Sequence, residues 1–212
     1  MSAHCCPAPD PVVDPRYRRV LWIALAINAA MFLIEIAAGL QAQSVALLAD
    51  AVDFFGDAAN YGISLAVLAM LPAWRSRAAL VKGLTMGAFG VFVLAKVAWN
   101  ATSGVVPEPV TMGTVGFVAL LANVSVVVML YRYRAGDANM RSVWLCSRND
   151  AIGNIAVMIA ALGVFGTGSG LPDIVVAAIM GTLALVAAIS VIRHAVRELT
   201  PGVSPHRQGF TD

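Results

Sequence analysis

The chain contains six apolar runs of about 20 residues, and they constrain its fold more than any other feature. A helix of this length and composition can cross the hydrocarbon core of a bilayer. Only 12% of the 212 residues are charged, and the mean hydropathy is +0.80. The runs lie at residues 20–40, 45–70, 79–99, 111–131, 143–165 and 173–193. We therefore predict an all-α polytopic membrane protein with six transmembrane helices.

The basic residues predict how these helices are oriented. Twelve of the 14 Lys and Arg residues lie near the two termini and in the connections between runs 2 and 3 and between runs 4 and 5. They are Arg16, Arg18, Arg19, Arg75, Arg77, Lys82, Arg132, Arg134, Arg141, Arg193, Arg197 and Arg207. The other three connections contain no Lys or Arg, so the positive-inside rule places both termini in the cytoplasm. The net charge of +2 reflects this orientation and does not indicate nucleic-acid binding.

The two ends of the chain are predicted to be short tails. Residues 1–19 are polar and lack the apolar core of a cleaved targeting peptide. Residues 195–212 are too few and too polar to fold alone. We expect a flexible cytoplasmic tail over 1–19, a six-helix transmembrane domain over 20–194 and a cytoplasmic tail over 195–212.

The second and fifth runs hold most of the polar side chains that lie within the predicted membrane segments. An ionisable side chain there costs roughly 3 kcal/mol or more, so it indicates a functional site. Asp53 and Asp57 are four residues apart on one helix face, and Cys146 and Asp150 repeat that spacing. At about 1.5 Å per residue, Asp57 and Asp150 fall at nearly the same depth. We therefore predict one site near mid-membrane, between helices 2 and 5.

Three carboxylates and one thiolate are suitable ligands for a transition metal. Four such ligands in a tetrahedral arrangement suit Zn²⁺, Cd²⁺ or Co²⁺. Mg²⁺ and Ca²⁺ prefer six or more oxygen ligands, so the thiolate argues against them. A bound cation offsets the cost of burying the carboxylates, and the same groups must take up protons when it leaves. This chemistry is typical of a proton-coupled metal antiporter.

Four further polar residues in the membrane segments are candidates for supporting roles. Asp50 is a candidate ligand or proton relay, or makes a structural hydrogen bond. Asn60 and Asn154 are candidate ligands or partners of the ligands, or they join helices by hydrogen bonds. Glu35, near the outer end of helix 1, either belongs to an exit path or snorkels toward the interface or is exposed to water.

The role that we predict for each cysteine depends on the residues near it in the sequence. Cys146 alone would be a small core residue, and its spacing from Asp150 favours the ligand interpretation. His4, Cys5 and Cys6 are adjacent in the N-terminal tail, where cytoplasmic thiols stay reduced. They can capture soft metals for the inner mouth of the protein, and a tail without function fits equally well.

A resemblance to a known family is strongest over residues 28–57, which read NAAMFLIEIAAGLQAQSVALLADAVDFFGD. This segment resembles the first two helices of the cation diffusion facilitator family of metal transporters. The resemblance extends from about residue 18 to 195 and includes the PDIV segment that contains Asp173. The family forms its transport site from two ligands on helix 2 and two on helix 5. Those positions match Asp53, Asp57, Cys146 and Asp150.

The resemblance implies proton-coupled efflux of Zn²⁺, or of a similar ion such as Cd²⁺ or Co²⁺, across the cytoplasmic membrane. It also implies a homodimer in the lipid bilayer, with metal ions and protons as substrates, no resident cofactor and no enzymatic activity. Cys146 stands where members usually have His or Asp, which favours softer ions. Most members have a cytoplasmic C-terminal domain, and the length of this chain matches a form that lacks it.

Two other functions compete with transport. A passive cation channel would use weak, hydrated sites in place of a tight four-ligand cage. A membrane-embedded prenyl or phosphatidyl transferase would use Asp50, Asp53 and Asp57 to hold a Mg²⁺-diphosphate. Prenyl transferases need more helices, a second acidic motif and a basic cluster. The phosphatidyl transferase motif needs Gly and Ala-Arg where residues 54–56 read FFG. We therefore predict a transporter.

Overall fold

The computed structural model describes residues 15–66, 72–133 and 138–200, with the backbone alone for 72–75, 138–149 and 198. Within these residues the chain forms six long α-helices, each coinciding with one predicted run. They are α1 (Pro15–Ala42), α2 (Val45–Ala66), α3 (Pro72–Ser103), α4 (Pro109–Leu130), α5 (Ala138–Thr167) and α6 (Leu171–Leu199). The prediction of an all-α polytopic membrane protein is confirmed. The candidates His4, Cys5 and Cys6 lie outside the described residues.

The second helix differs from its neighbours in composition and in environment. Counting only described residues, α1, α3, α4, α5 and α6 are long and apolar enough to cross a membrane. α2 is long enough, with 22 residues, but its three aspartates, Asp50, Asp53 and Asp57, make it too polar to be counted with these five helices. It packs against α1, α3, α5 and α6, and residues 45–52 are buried throughout. The other helices thus shield most of α2 from lipid and lower the cost of its carboxylates.

The helices pack mainly as three antiparallel pairs: α1 with α2, α3 with α6, and α4 with α5. Small residues permit close contact in the second pair, where Gly83 of α3 faces Val191 and Ile192 of α6. The ring centroids of Tyr17 and Tyr133 are 4.8 Å apart. This contact lies at the end of the bundle that is predicted to face the cytoplasm. We call this the inner end, and the opposite one the outer end.

At the outer end, Asp173 joins the start of α6 to the start of α2. The hydroxyl of Ser44 accepts the N–H of Leu47 at 3.1 Å and donates to Asp173 at 2.7 Å. The Asp173 carboxylate also accepts the N–H groups of Val45 and Ala46 at 2.9 and 3.0 Å. An anion is stabilised there because the first N–H groups of a helix lack partners within it. Such a cap contributes about 0.5–2 kcal/mol.

Glu108 caps α4 more locally. Its exposed carboxylate accepts the N–H groups of Val110 and Thr111 at 2.9 and 2.5 Å. Hydrogen bonds from Thr111 and then Val110 lower the pKa of the Glu108 carboxyl. This carboxylate therefore stabilises its own helix and joins no second helix to it.

Packing at the outer end gives a test of this fold at Gly170, just before α6. A Cβ at this position would overlap the carbonyl oxygen of Val105 in the connection between α3 and α4. Because overpacking costs roughly 1–3 kcal/mol, we expect Gly170→Ala to lower the thermal unfolding temperature by roughly 3–10 °C. The measurement is thermal unfolding of purified protein in detergent.

The matched control for this test is Gly166→Ala in α5. A Cβ at residue 166 meets nothing within 4 Å, and Ala is the better helix former. We expect this variant to unfold at or slightly above the temperature of the unchanged protein. Equal unfolding temperatures for the two variants would contradict the packing of these connections.

Candidate metal site

The structure brings α2 and α5 into contact, and Asp57 and Asp150 meet between them. Their carboxyl groups are within hydrogen-bonding reach of each other. The side chain of Asp57 is buried and also accepts the hydroxyl of Tyr61 at 3.0 Å. Because an ionised carboxylate has no donor, two carboxyls in contact need a shared proton or a cation between them.

The structure says less about the other two predicted ligands, Asp53 and Cys146. Asp53 is partly buried, and it is near enough to Asp57 and Asp150 for their charges to interact. Cys146 lies in α5 one turn before Asp150, but its side chain is outside the described set. Within the described side chains, no group of three His, Cys, Asp or Glu residues is arranged to hold a metal ion. The four-ligand set therefore stays a prediction.

Asn60, one turn beyond Asp57, accepts a hydrogen bond from the ammonium group of Lys82 on α3. Lys82 is buried, and its charge acts on the carboxylate of Asp57. Assigning Lys82 to the connection between helices 2 and 3 is wrong, because it lies within α3. Its position inside the predicted run 79–99 was the signal available in the sequence.

A second set of polar side chains, the buried polar network, consists of Glu35, Asp50, Asn123 and Asn154. All four are at most 1% exposed, and they join α1, α2, α4 and α5. Asn154 donates to Asp50 at 2.5 Å and accepts from Asn123 at 2.9 Å. Glu35 is within hydrogen-bonding reach of Asp50, yet no described donor satisfies either Glu35 oxygen. A proton on one of these two carboxyls would complete that contact.

This network gives several sequence candidates a defined environment. Asp50 and Asn154 contact each other, which fits the interpretation as partners of the ligands or as contacts between helices. Glu35 is fully buried, so the water-exposed alternative does not hold. Asn123 was not among the predicted site residues, although a lone asparagine in the apolar run 111–131 was a visible signal.

Two cavities of about 360 Å³ each lie toward the inner end. One is bounded by α2, α3 and α6, and its lining includes Asn60, Lys82 and His194. The other follows α2 and α3 and also reaches Lys82. Since Asn60 is one turn from Asp57, the first cavity lies on the inner side of Asp57, although its described lining includes neither Asp57 nor Asp150.

Known proteins resemble this chain over most of its length. A family model for the cation efflux transmembrane domain matches residues 21–200. The metal cation efflux system protein CzcD of Cupriavidus metallidurans is 24% identical over 197 residues, which cover 87% of this chain. The zinc transporter ZitB of Escherichia coli is 28% identical over 204 residues, or 89% of this chain. ZitB of Yersinia pestis is 26% identical over 202 residues.

The matched part is shorter than these relatives. It spans 62% of the length of CzcD and 64% of the length of ZitB from Escherichia coli. The family model, in contrast, covers nearly the whole six-helix bundle and includes both Asp57 and Asp150. The chain therefore belongs to the cation efflux, or cation diffusion facilitator, family of multi-pass membrane proteins.

Proposed function

We propose that this chain exports divalent transition-metal cations from the cytoplasm in exchange for protons, by alternating access. The observation that carries this proposal is the contact of Asp57 with Asp150 between α2 and α5. Two carboxyls that meet inside a membrane protein need a positive charge between them. A metal ion and protons each supply that charge, so one can replace the other as the site loads and empties.

Zn²⁺ is the proposed principal substrate, with Cd²⁺ and Co²⁺ as alternatives. Carboxylates from Asp53, Asp57 and Asp150 with a thiolate from Cys146 form a tetrahedral set that suits these ions. Two of the similar proteins are named as zinc transporters and a third as a metal cation efflux protein. The metal is cargo, and the proposal includes neither a resident cofactor nor a catalytic step.

The buried polar network supports the proton half of the exchange. Glu35 and Asp50 lie together with too few donors for two ionised carboxylates. A proton held there lies three residues along α2 from Asp53. The proposed proton site at Asp50 and the proposed metal ligand Asp53 therefore lie on the same helix, α2. This short distance along α2 can couple protonation to metal binding.

The inner cavities support loading from the cytoplasmic side. Lys82 reaches Asn60 at the wall of one cavity, and its ammonium charge acts on Asp57. An incoming metal cation can replace the ammonium group of Lys82 as the positive charge near the Asp57 carboxylate.

We further propose a homodimer in the cytoplasmic membrane. We also propose that His4, Cys5 and Cys6 in the N-terminal tail capture metal.

Removal of the central carboxylates tests the site directly. We expect Asp57→Ala and Asp150→Ala each to abolish metal transport, because each leaves the other carboxylate without its partner. Asp50→Asn should reduce transport less, by roughly tenfold, because the amide oxygen can still accept from Asn154. Transport is measured as metal uptake into proteoliposomes, and size-exclusion elution checks folding.

The matched control for these variants is Glu108→Gln, which changes an exposed carboxylate at the outer end. It should leave transport unchanged, because Glu108 caps α4 and lies far along the chain from both ligand helices. A greater loss from Asp50→Asn than from Asp57→Ala would show that the wrong helix-2 carboxylate has been assigned.

Proton coupling is tested with an imposed pH gradient across proteoliposomes. With the lumen acidic, protons that leave should drive Zn²⁺ inward against its own gradient, because the same carboxyls bind both. The measurement compares uptake of Zn²⁺, Cd²⁺ and Co²⁺ before and after an ionophore dissipates the pH gradient. Uptake that ignores the gradient would favour a passive channel.

The role of Cys146 is tested by exchanging its thiol. A thiolate prefers Cd²⁺ more strongly than imidazole does, so Cys146→His should keep Zn²⁺ binding and selectively weaken Cd²⁺ binding. Cys146→Ser should weaken both, because a neutral hydroxyl is a poor ligand. Metal affinity of the unchanged protein should also rise more steeply with pH than that of Cys146→Ser, since the thiol must lose its proton.

Calorimetric metal titration at two pH values measures these affinities in purified protein. Cys146→Ala serves as the control that removes the ligand without leaving a hydroxyl, and it should match Cys146→Ser. If Cys146→Ser binds both ions as the unchanged protein does, Cys146 is a packing residue and the site has three protein ligands.

A further inference from the structure

The outer end of the bundle is closed by contacts between its connections. The N–H of Glu108 donates to the carbonyl of Ala42 at 3.0 Å. The side-chain amide of Asn100 donates to the carbonyl of Gln43 at 3.3 Å. A cavity of about 230 Å³ lies at this end, and its described lining comes from the end of α3, the start of α6 and the adjacent connections, with no residue of α2. The cavities at Asn60 and Lys82 therefore lie on the inner side of the α2 carboxylates, and these contacts join the described connections at the outer end.

Within this closed end, Asp173 makes the most direct link to the helix that carries the proposed ligands. Its carboxylate accepts three hydrogen bonds of 2.7–3.0 Å, from the Ser44 hydroxyl and from the N–H groups of Val45 and Ala46. The side chain is only 1% exposed. α6 packs chiefly on α3, whereas α2 packs chiefly on α1. The bonds of Asp173 therefore join the α3–α6 pair to the α1–α2 pair.

The same bonds have a property that suits a reversible contact. The N–H groups of Val45 and Ala46 belong to the first turn of α2, where no carbonyl of the helix can accept them. Ser44 also bonds Leu47, so part of the cap stays on α2 when α6 moves away. Water can replace Asp173 at the freed N–H groups once the outer end opens. Opening therefore needs no unwinding of α2.

We propose that Asp173 is a positioning residue that holds the outer end of α2 against α6, and that its bonds to α2 break when the outer end opens to release the ion. In the closed arrangement, the buried residues 45–52 at the start of α2 separate Asp53 and Asp57 from the outer side. Separation of α6 from the start of α2 then opens a path past residues 45–52 toward the same carboxylates. This inference rests on the proposed function for its meaning, but its test does not depend on transport.

The first test measures access to two buried positions in the full-length protein in detergent. Ala49→Cys places a thiol in α2 between Asp173's contacts and Asp53, and Ala24→Cys places one in the inner half of α1. Both alanines are at most 1% exposed. A water-soluble maleimide labels the protein, and peptide mass spectrometry resolves each site from the native cysteines.

In this assay, Asp173→Asn should speed labelling at residue 49 by roughly tenfold, the effect of losing one charge-assisted hydrogen bond. Labelling at residue 24 should not change. Glu108→Gln is the matched control, because it alters an outer-end carboxylate that caps only its own helix, and it should change neither rate. Equal acceleration at residues 24 and 49 would show general loosening, and no acceleration at residue 49 would show no gate. Either result overturns the proposal.

A second test replaces the hydrogen bonds of Asp173 by a covalent link between α2 and α6. Ser44→Cys combined with Asp173→Cys places two thiols where the native side chains are in contact, so oxidation should join α2 to α6. The disulfide should suppress labelling at residue 49, and reduction should restore it. Continued labelling of the oxidised form would overturn the proposal.

Transport by the same oxidised and reduced pair separates this inference from the proposed function. If the outer end must open, the oxidised form should not transport metal, and the reduced form should regain transport. Full transport by the oxidised form would overturn the gate. A labelling response in protein that transports no metal under any condition would leave the gate in place and contradict the proposed function.

Discussion

The placement of carboxylates inside an apolar bundle is the constraint on which the rest of this structure depends. A carboxylate in hydrocarbon is too costly to retain without a partner. α2 carries three of them, and the bundle encloses this helix on several sides. The lipid-facing helices have large exposed apolar side chains such as Leu33, Phe165 and Leu183. The arrangement therefore separates helices that face lipid from the one that carries charge.

The buried carboxylates are satisfied in two physically different ways. Asp173 accepts hydrogen bonds from fixed donors, a hydroxyl and two backbone N–H groups, so its environment is complete in this conformation. Asp57 faces Asp150, and Glu35 faces Asp50, so each pair brings together two groups that repel each other when both are ionised. A carboxylate with fixed donors holds helices together. A carboxylate that faces another one depends on a proton or a metal ion that can be exchanged.

This distinction relates the proposed transport to the conformation of the bundle. The carboxylate pairs lie between α2 and its neighbours α5 and α1, and one inner cavity reaches Asn60, one turn from Asp57. The fixed contacts lie at the outer end, where Asp173 and the connections close the bundle. In the proposed transport, the carboxylate pairs exchange ions in the middle of the bundle, and Asp173 of α6 holds the outer end closed. Such a division allows one end to open while the site itself stays assembled.

The sequence by itself determined the six helices and the membrane environment, because apolar length is a local property of the chain. It also indicated Asp57 and Asp150, since equal depth follows from a constant rise per residue. Only the tertiary structure showed that Lys82 turns toward Asn60, and that Asn123 joins Asn154. The rotation of one helix relative to another decides such contacts, and that rotation depends on packing among all six. For the same reason, the cap that Asp173 gives to a helix start 128 residues away could not be read from spacing.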